Sequence, residues 1–254
     1  MTRPVGYRQW APPAALAAAL DCFWVRLGSP AGALLNPVLP DGCVDLIWQE
    51  GRGAFIAGPD TGPVPSALAP ETVLVGARFR PGAGGPALGV PLAALRDRRV
   101  DFCEIQPALS RRVPSVLDAH EALRRVSAVA AELVTASPPD AVVLEAVRLL
   151  VRPRTQLSEL VAVLGVSERQ LRRRFDLTVG YGPKTLQRVL RFRRVVDRLS
   201  ASHGACDLAT LAVRTGYADQ AHLTRETSRL AGLPPALLAR RFESPRRNGP
   251  IDPR

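Results

Sequence analysis

Lysine is almost missing from this chain of 254 residues: Lys184 stands alone against 33 arginines. That skew fits a GC-rich coding genome as readily as a selected need for guanidinium groups, so the arginine count alone points to no partner. Cysteine is sparse too. Cys22, Cys43, Cys103 and Cys206 are scattered, with no C-x-x-C pair. This excludes a zinc-site spacing and a dense disulfide framework, and suits a reducing cytoplasm. No uncharged apolar run approaches the ~18 residues of a membrane-spanning helix. The Ala/Leu-rich stretch Gln9 to Leu20 follows Arg3 and Arg8 as a signal peptide would. It is short, carries Pro12 and Pro13, and runs straight into Asp21, so it is read as a short helix. No G-K-[ST] triplet follows Gly82, Gly84 and Gly85. That excludes a phosphate loop and leaves a flexible turn, with no helix expected to begin there.

What is present describes a globular chain, 46% apolar and 22% charged. The net charge of +11 is unevenly placed. Residues 138–254 hold 21 basic and 11 acidic groups, net +10, whereas residues 1–137 hold 13 and 12, net +1. Such asymmetry is the electrostatic footprint of a nucleic-acid module joined to something else. An anionic membrane surface is the rival partner.

The fold class read from the pattern is α+β. Residues 1–110 carry short apolar segments between turn signals: Cys22 to Val25, Val44 to Trp48 after Pro40-Asp41-Gly42, Ala54 to Ala57, and Thr72 to Phe79. They predict a small antiparallel sheet or barrel. Pro91 to Arg96 reads as one helical turn or two, and residues 115–136 as a helix. Ser137-Pro138-Pro139-Asp140 breaks that helix and sets the expected boundary. Beyond it the chain reads as helices and short turns: Asp140 to Val151, Leu157 to Leu164, Glu168 to Leu177, Pro183 to Leu199, Asp207 to Thr215, Gln220 to Leu230, and a last one from Pro234 or Pro235 to about Arg241. The segment 243–254, with three prolines, reads as a disordered tail.

One unit occurs twice in the basic half. Leu157 to Gly165 and Val166 precede a helix capped by Ser167, and Leu208 to Gly216 and Tyr217 precede another, 51 residues later. Short helix, glycine turn, capped helix is the sequence form of helix-turn-helix. The glycine lets the chain leave the first helix with positive φ. Between the two units, Pro183 to Leu199 spans about 26 Å as a helix, with Val189, Phe192, Val196 and Leu199 as its core stripe. Such a spacer can hold two recognition helices roughly one DNA turn apart, in successive major grooves.

These tandem motifs resemble the AraC/XylS transcription regulators. The likeness is carried by Gly180-Tyr181-Gly182-Pro183-Lys184 through Arg191, by Leu208 to Gly216, and by Tyr217 through His222 to Arg225. It covers about residues 140–241. It implies two helix-turn-helix subdomains on a long helix, binding promoter DNA. Three positions depart from the family pattern. Thr227 stands where a buried phenylalanine is usual, and Leu238 and Ala239 where a tyrosine and an arginine are usual. These bear on how firmly the second subdomain packs. Pro40 to Trp48, Ala57 to Gly62, Arg78 to Gly82 and Leu88 to Pro91 resemble an N-terminal domain often fused to this DNA-binding half. The resemblance thus implies a sensory or dimerisation domain at 1–137, an AraC-type DNA-binding domain at 138–242 and the tail at 243–254. The implied partners are double-stranded promoter DNA, with RNA polymerase, a small-molecule effector and a second copy of the chain as further candidates. No cofactor, metal or catalytic residue is expected, and the location is cytoplasmic.

In the first recognition helix Arg169, Arg172 and Arg173 share a face, with Gln170 beside them and Leu171 and Phe175 opposite. Arginine fits guanine O6/N7 and phosphate equally well. The bland alternative is a solvated basic face. Arg174 reads as a phosphate or surface group. In the second, Gln220, Ala221, Thr224 and Arg225 point outward, Gln suiting adenine, and His222 reaches toward phosphate. Arg188, Arg191, Arg194 and Arg198 form a stripe better read as solvated than as DNA-contacting. In the N-terminal half, Trp24, Trp48 and Phe79 are candidates to line an effector cavity, with Arg78 or Arg80 pairing an anion. The competing reading makes the aromatics core and the arginines surface. A second class of function is an enzyme in the N-terminal half, such as a cysteine-dependent repair activity with a DNA-binding appendage. No cysteine has a local His or metal-ligand pattern, and Asp41, Asp45 and Asp60 have no evident catalytic partner.

Overall fold

Alternating apolar residues in the N-terminal half pair into one antiparallel sheet of six strands. The computed structural model describes residues 6–28, 37–65, 69–152, 155–204 and 207–243. The strands are β1 (Tyr7–Trp10), β2 (Leu20–Leu27), β3 (Val44–Gln49), β4 (Gly53–Ala57), β5 (Val73–Phe79) and β6 (Arg99–Asp101). Their order is β1-β2-β5-β3-β4-β6. In register, Val25, Val75 and Trp48 form one row, and Trp24, Gly76 and Ile47 the next. Side chains alternate along a strand, so the two rows face opposite ways.

The face of Trp48 also carries Val44, Leu46, Val73, Ala77 and Phe79, all buried. Helix α4 (Ala119–Ala136) covers it with Val126, Val129, Ala130 and Leu133. Each such large side chain contributes about 1.5–3 kcal/mol on burial. Asp118 caps α4 by accepting from the Glu121 amide at 2.8 Å. The opposite face holds a smaller cluster of Cys22, Trp24, Phe55, Ala57 and Leu74. There the Trp24 indole lies on Gly76, where a Cβ would stand 2.2 Å from the ring.

Several expectations for this half are corrected. Gln9 to Leu20 is no helix: Gln9 lies in β1, Ala14–Leu16 is a single 3₁₀ turn, and Leu20 begins β2. A short helix, α1 (Gly84–Leu88), does begin among the glycines. Pro91 to Arg96 reduces to a 3₁₀ turn at Leu92–Ala94. The helix expected from 115 starts at Ala119, leaving Val116 exposed. Two short helices, α2 (Phe102–Ile105) and α3 (Pro107–Ser110), precede it.

The basic half consists of α5 (Ala141–Leu150), α6 (Leu157–Leu164), α7 (Glu168–Thr178), α8 (Pro183–Ala201), α9 (Leu208–Thr215), α10 (Gln220–Ala231) and α11 (Pro235–Glu243). They surround a core of their own, from Val143 to Ala239, while the first core runs from Ala19 to Val134. The inward stripe of α8 passes through Val195 rather than Val196. No helix among the described residues is long and apolar enough to cross a membrane. Of the tail expected at 243–254, Glu243 ends α11, while residues 244–254, like Cys206, lie outside the described residues.

Candidate nucleic-acid interface

Both tandem units fold as helix, glycine turn, helix. Gly165 and Gly216 end α6 and α9 in the left-handed conformation, at φ 64° and 88°. The chain can then reverse, and the buried Tyr217 follows the second turn. Each second helix opens on an acceptor cap. Ser167 accepts from the Gln170 amide at 3.2 Å, and Asp219 from the His222 amide at 2.6 Å.

On α7, Leu171, Phe175 and Thr178 are buried, and Arg169, Gln170, Arg172 and Arg173 are exposed. Gln170 has a second task. Its side-chain oxygen accepts from the Ser167 amide at 2.9 Å, closing a reciprocal capping box, so only its amino group is left to reach outward. The Ser-x-x-Gln spacing is the signal for this. Arg174 pairs with Asp140, the cap of α5, and so ties α7 to α5 instead of facing outward.

On α10, Gln220, Ala221 and Arg225 are exposed, and His222 and Thr224 are half-buried. The His222 ring stands edge-on to Tyr217 at 5.1 Å. The Thr224 hydroxyl donates to the Gln220 carbonyl at 2.9 Å. The three departures from the family pattern are all packed inside: Thr227, Leu238 and Ala239 are 0%, 1% and 6% exposed. The second subdomain therefore closes over small side chains. Its cost is visible at Thr227, whose buried hydroxyl has no partner.

The stripe on α8 is not the solvated face expected from its spacing. Arg188 grips Glu226 of α10 with Nε at 3.0 and 2.9 Å from its two oxygens. Arg191 lies 5.3 Å over the Tyr217 ring. Arg194 donates to the carbonyls of Val151 at 2.7 Å and Thr215 at 3.1 Å. Only Arg198 of the four is exposed. Burial alone would raise the Glu226 carboxyl, but the bonds and charge of Arg188 outweigh it and hold the group below the ordinary value. Sequence reasoning missed Glu226, since its partner lies 38 residues away.

The four effector candidates do not gather at one place. Trp48 is in the α4-covered core, its Nε1 donating to the Pro114 carbonyl at 2.8 Å. Trp24 is on the other face, donating to Asp45 Oδ1 at 2.8 Å. A cavity lined by both tryptophans is thus excluded by strand alternation, and Phe79 belongs to the Trp48 side. Arg78 shares the Trp24 face but is held by Asp45 at 3.1 Å and Asp41 at 3.2 Å. Arg80, past the strand end, binds the Ala17 carbonyl at 2.9 Å and pairs with Asp21 at 3.1 Å. Burial pushes the Cys22 thiol up to about 11 and the Cys43 thiol well up, so neither has the thiolate character of a nucleophile at neutral pH. Among the described residues no three His, Cys, Asp or Glu groups gather to hold a metal.

Two family models match the chain: a domain of unknown function (DUF6597) over residues 8–101, and a helix-turn-helix domain over residues 160–241. No curated protein matches it in sequence. Among solved structures it is similar to ToxT from Vibrio cholerae. One such structure is 8% identical, with 85% of this chain and 97% of that chain covered and a TM-score of 0.46. Another, with an unsaturated fatty acid bound, is 11% identical, with 94% and 97% covered and a TM-score of 0.42. The chain thus joins a region that matches DUF6597 to a region that matches a helix-turn-helix domain.

Proposed function

We propose that the protein reads duplex DNA at two half-elements about one helical turn apart. Arg169, Gln170, Arg172 and Arg173 of α7 enter one major groove, and Gln220, Ala221, His222, Thr224 and Arg225 of α10 enter the next. The observation that carries this reading is the pair of capped, exposed, arginine-bearing helices joined by α8. At 19 residues α8 is about 28 Å long, close to the ~34 Å turn of the duplex. The exposed guanidiniums suit guanine or phosphate, and Gln220 suits adenine. Residues 138–242 are the DNA-binding unit in this proposal, and residues 1–137 the regulatory unit. An anionic effector at Arg78 would have to displace two carboxylates already bound there. Pairing of two copies and contact with RNA polymerase rest on the family resemblance alone.

Footprinting on a duplex selected from a random pool tests the reading. Two protected major-groove segments on one face are expected per protomer. Replacing Gln220 and Arg225 together by alanine should remove one of them. A single segment, unchanged in that variant, would show that α10 does not read DNA.

A further inference from the structure

The two cores meet at a junction lined on both sides by glycines, where an added Cβ would have little room. A Cβ on Gly85 of α1 would stand 2.3 Å from the Leu177 carbonyl oxygen and 2.8 Å from Thr178 Cα, at the end of α7. On Gly82 it would meet Val143 of α5 at 2.9 Å, and on Gly42 it would meet Leu186 of α8 at 2.8 Å. From the other side, a Cβ on Gly180 would meet Pro59 at 2.6 Å and the Leu92 carbonyl at 3.0 Å. One on Gly232, after α10, would meet Pro63 at 3.2 Å. Arg193 of α8 adds a charged link, at 3.5 Å from Asp41 Oδ2, the same oxygen that Arg78 holds at 3.2 Å.

Two properties follow. The sheet domain touches the first helix-turn-helix unit through Leu177 and Thr178, the neighbouring α5 through Val143 and the end of α10 through Gly232, and it also lies along α8 between the two units. A cleft of about 450 Å³ lies between Thr61 and Asp97 of the sheet half and Arg229 and Leu230 of the second unit. At Gly85 and Gly180 the junction packs backbone on backbone, which has no rotamers with which to yield, so those two contacts transmit position rather than absorbing it. Meanwhile Arg169, Gln170 and Arg172 lie in the first half of α7 and Arg173 at its middle, one turn before Leu177, and all four remain exposed. The docked domain therefore leaves the reading face open.

We infer that the junction is a specificity-determining brace. It fixes the offset between the two helix-turn-helix units, so the sheet domain decides which separation of DNA half-elements is accepted. This rests on the two-element reading above.

Gly85 gives a clean probe. Its φ is not in the left-handed region, and the three atoms nearest to an added Cβ all belong to α7. Gly85→Ala therefore wedges the junction while suiting its own helix. The full chain is titrated with duplexes carrying both half-elements at the selected separation, or at separations changed by two base pairs, and with duplexes carrying one half-element. The wild type should lose about tenfold in affinity on the changed separation, and Gly85→Ala less than about threefold, with single half-element affinity unchanged. Hydrogen exchange at residues 177–181 should rise in the variant. Arg193→Gln, which adds no volume, should shift the spacing preference in the same direction and serves if Gly85→Ala perturbs the sheet domain. If both variants keep the wild-type spacing preference, the brace is wrong. A wild type that binds each half-element but ignores their separation overturns it as well. Failure to bind either half-element would instead sink the two-element reading.

Discussion

Arg172 sits in the first half of α7 with Leu171 turned into the core beside it and no partner competing for its guanidinium among the ion pairs of that helix. It is the residue on which base reading is best tested. If it is bidentate to guanine, Arg172→Ala should cost about 1–3 kcal/mol and relax preference at one base pair. Arg172→Lys keeps the charge but loses the planar fork, so it should lose the preference while keeping most non-specific affinity. The check is affinity for the selected site and every single-base variant at two salt concentrations. An alanine variant with an unchanged base profile would leave Arg172 with phosphate at most. Gln170 differs at the same scale, since its capping role means that its loss disturbs the helix start as well as any contact. The sequence shows that such residues lie on an outward face. It does not show which of them are already engaged, because partners such as Asp140 for Arg174 are 34 residues away.

Among the elements, α8 and α10 are stapled by Arg188 and Glu226, whose side chains are 27% and 12% exposed. Arg191 and His222 add positive charge near the carboxylate. A carboxyl held below its ordinary value near 4.5 contributes stability above that pH, and loses it as pH falls through the depressed value. The wild type should therefore exceed Glu226→Gln in unfolding free energy at neutral pH, and the gap should close below about pH 4. Denaturant titrations across that range check it, and a gap independent of pH would place the effect elsewhere. The helices themselves were legible because Asp140, Ser167, Pro183, Asp207 and Asp219 mark their starts and Gly165, Gly216 and Gly232 their ends. The sheet was less so. Strands β1 and β6 have four and three residues, too few for alternation to show. The glycines before Leu88 read as a turn because their lack of side chains serves distant neighbours, Val143 for Gly82, Val44 for Gly84 and α7 for Gly85, that no local pattern reveals.

At the scale of the whole molecule the charge asymmetry and the junction divide the work. The net charge of +10 in residues 138–254 concentrates attraction on the helical half, while the nearly neutral sheet half can lie against it without crowding the duplex with charge of either sign. The tandem repeat was readable from the sequence because each unit is local. The brace was not, because it exists only where two separately cored halves meet.

All three tryptophans, Trp10, Trp24 and Trp48, lie in the sheet domain. Indole emission therefore reports on that domain alone, whereas far-ultraviolet circular dichroism is dominated by the helices, most of which lie in the other half. The molecule thus carries an optical reporter for each half without any label. In the wild type the two signals should melt along one curve, because halves in close contact at Gly85 and Gly180 unfold together. In Gly85→Ala the emission and dichroism midpoints should part. Separate curves already in the wild type would mean that the halves are mechanically independent.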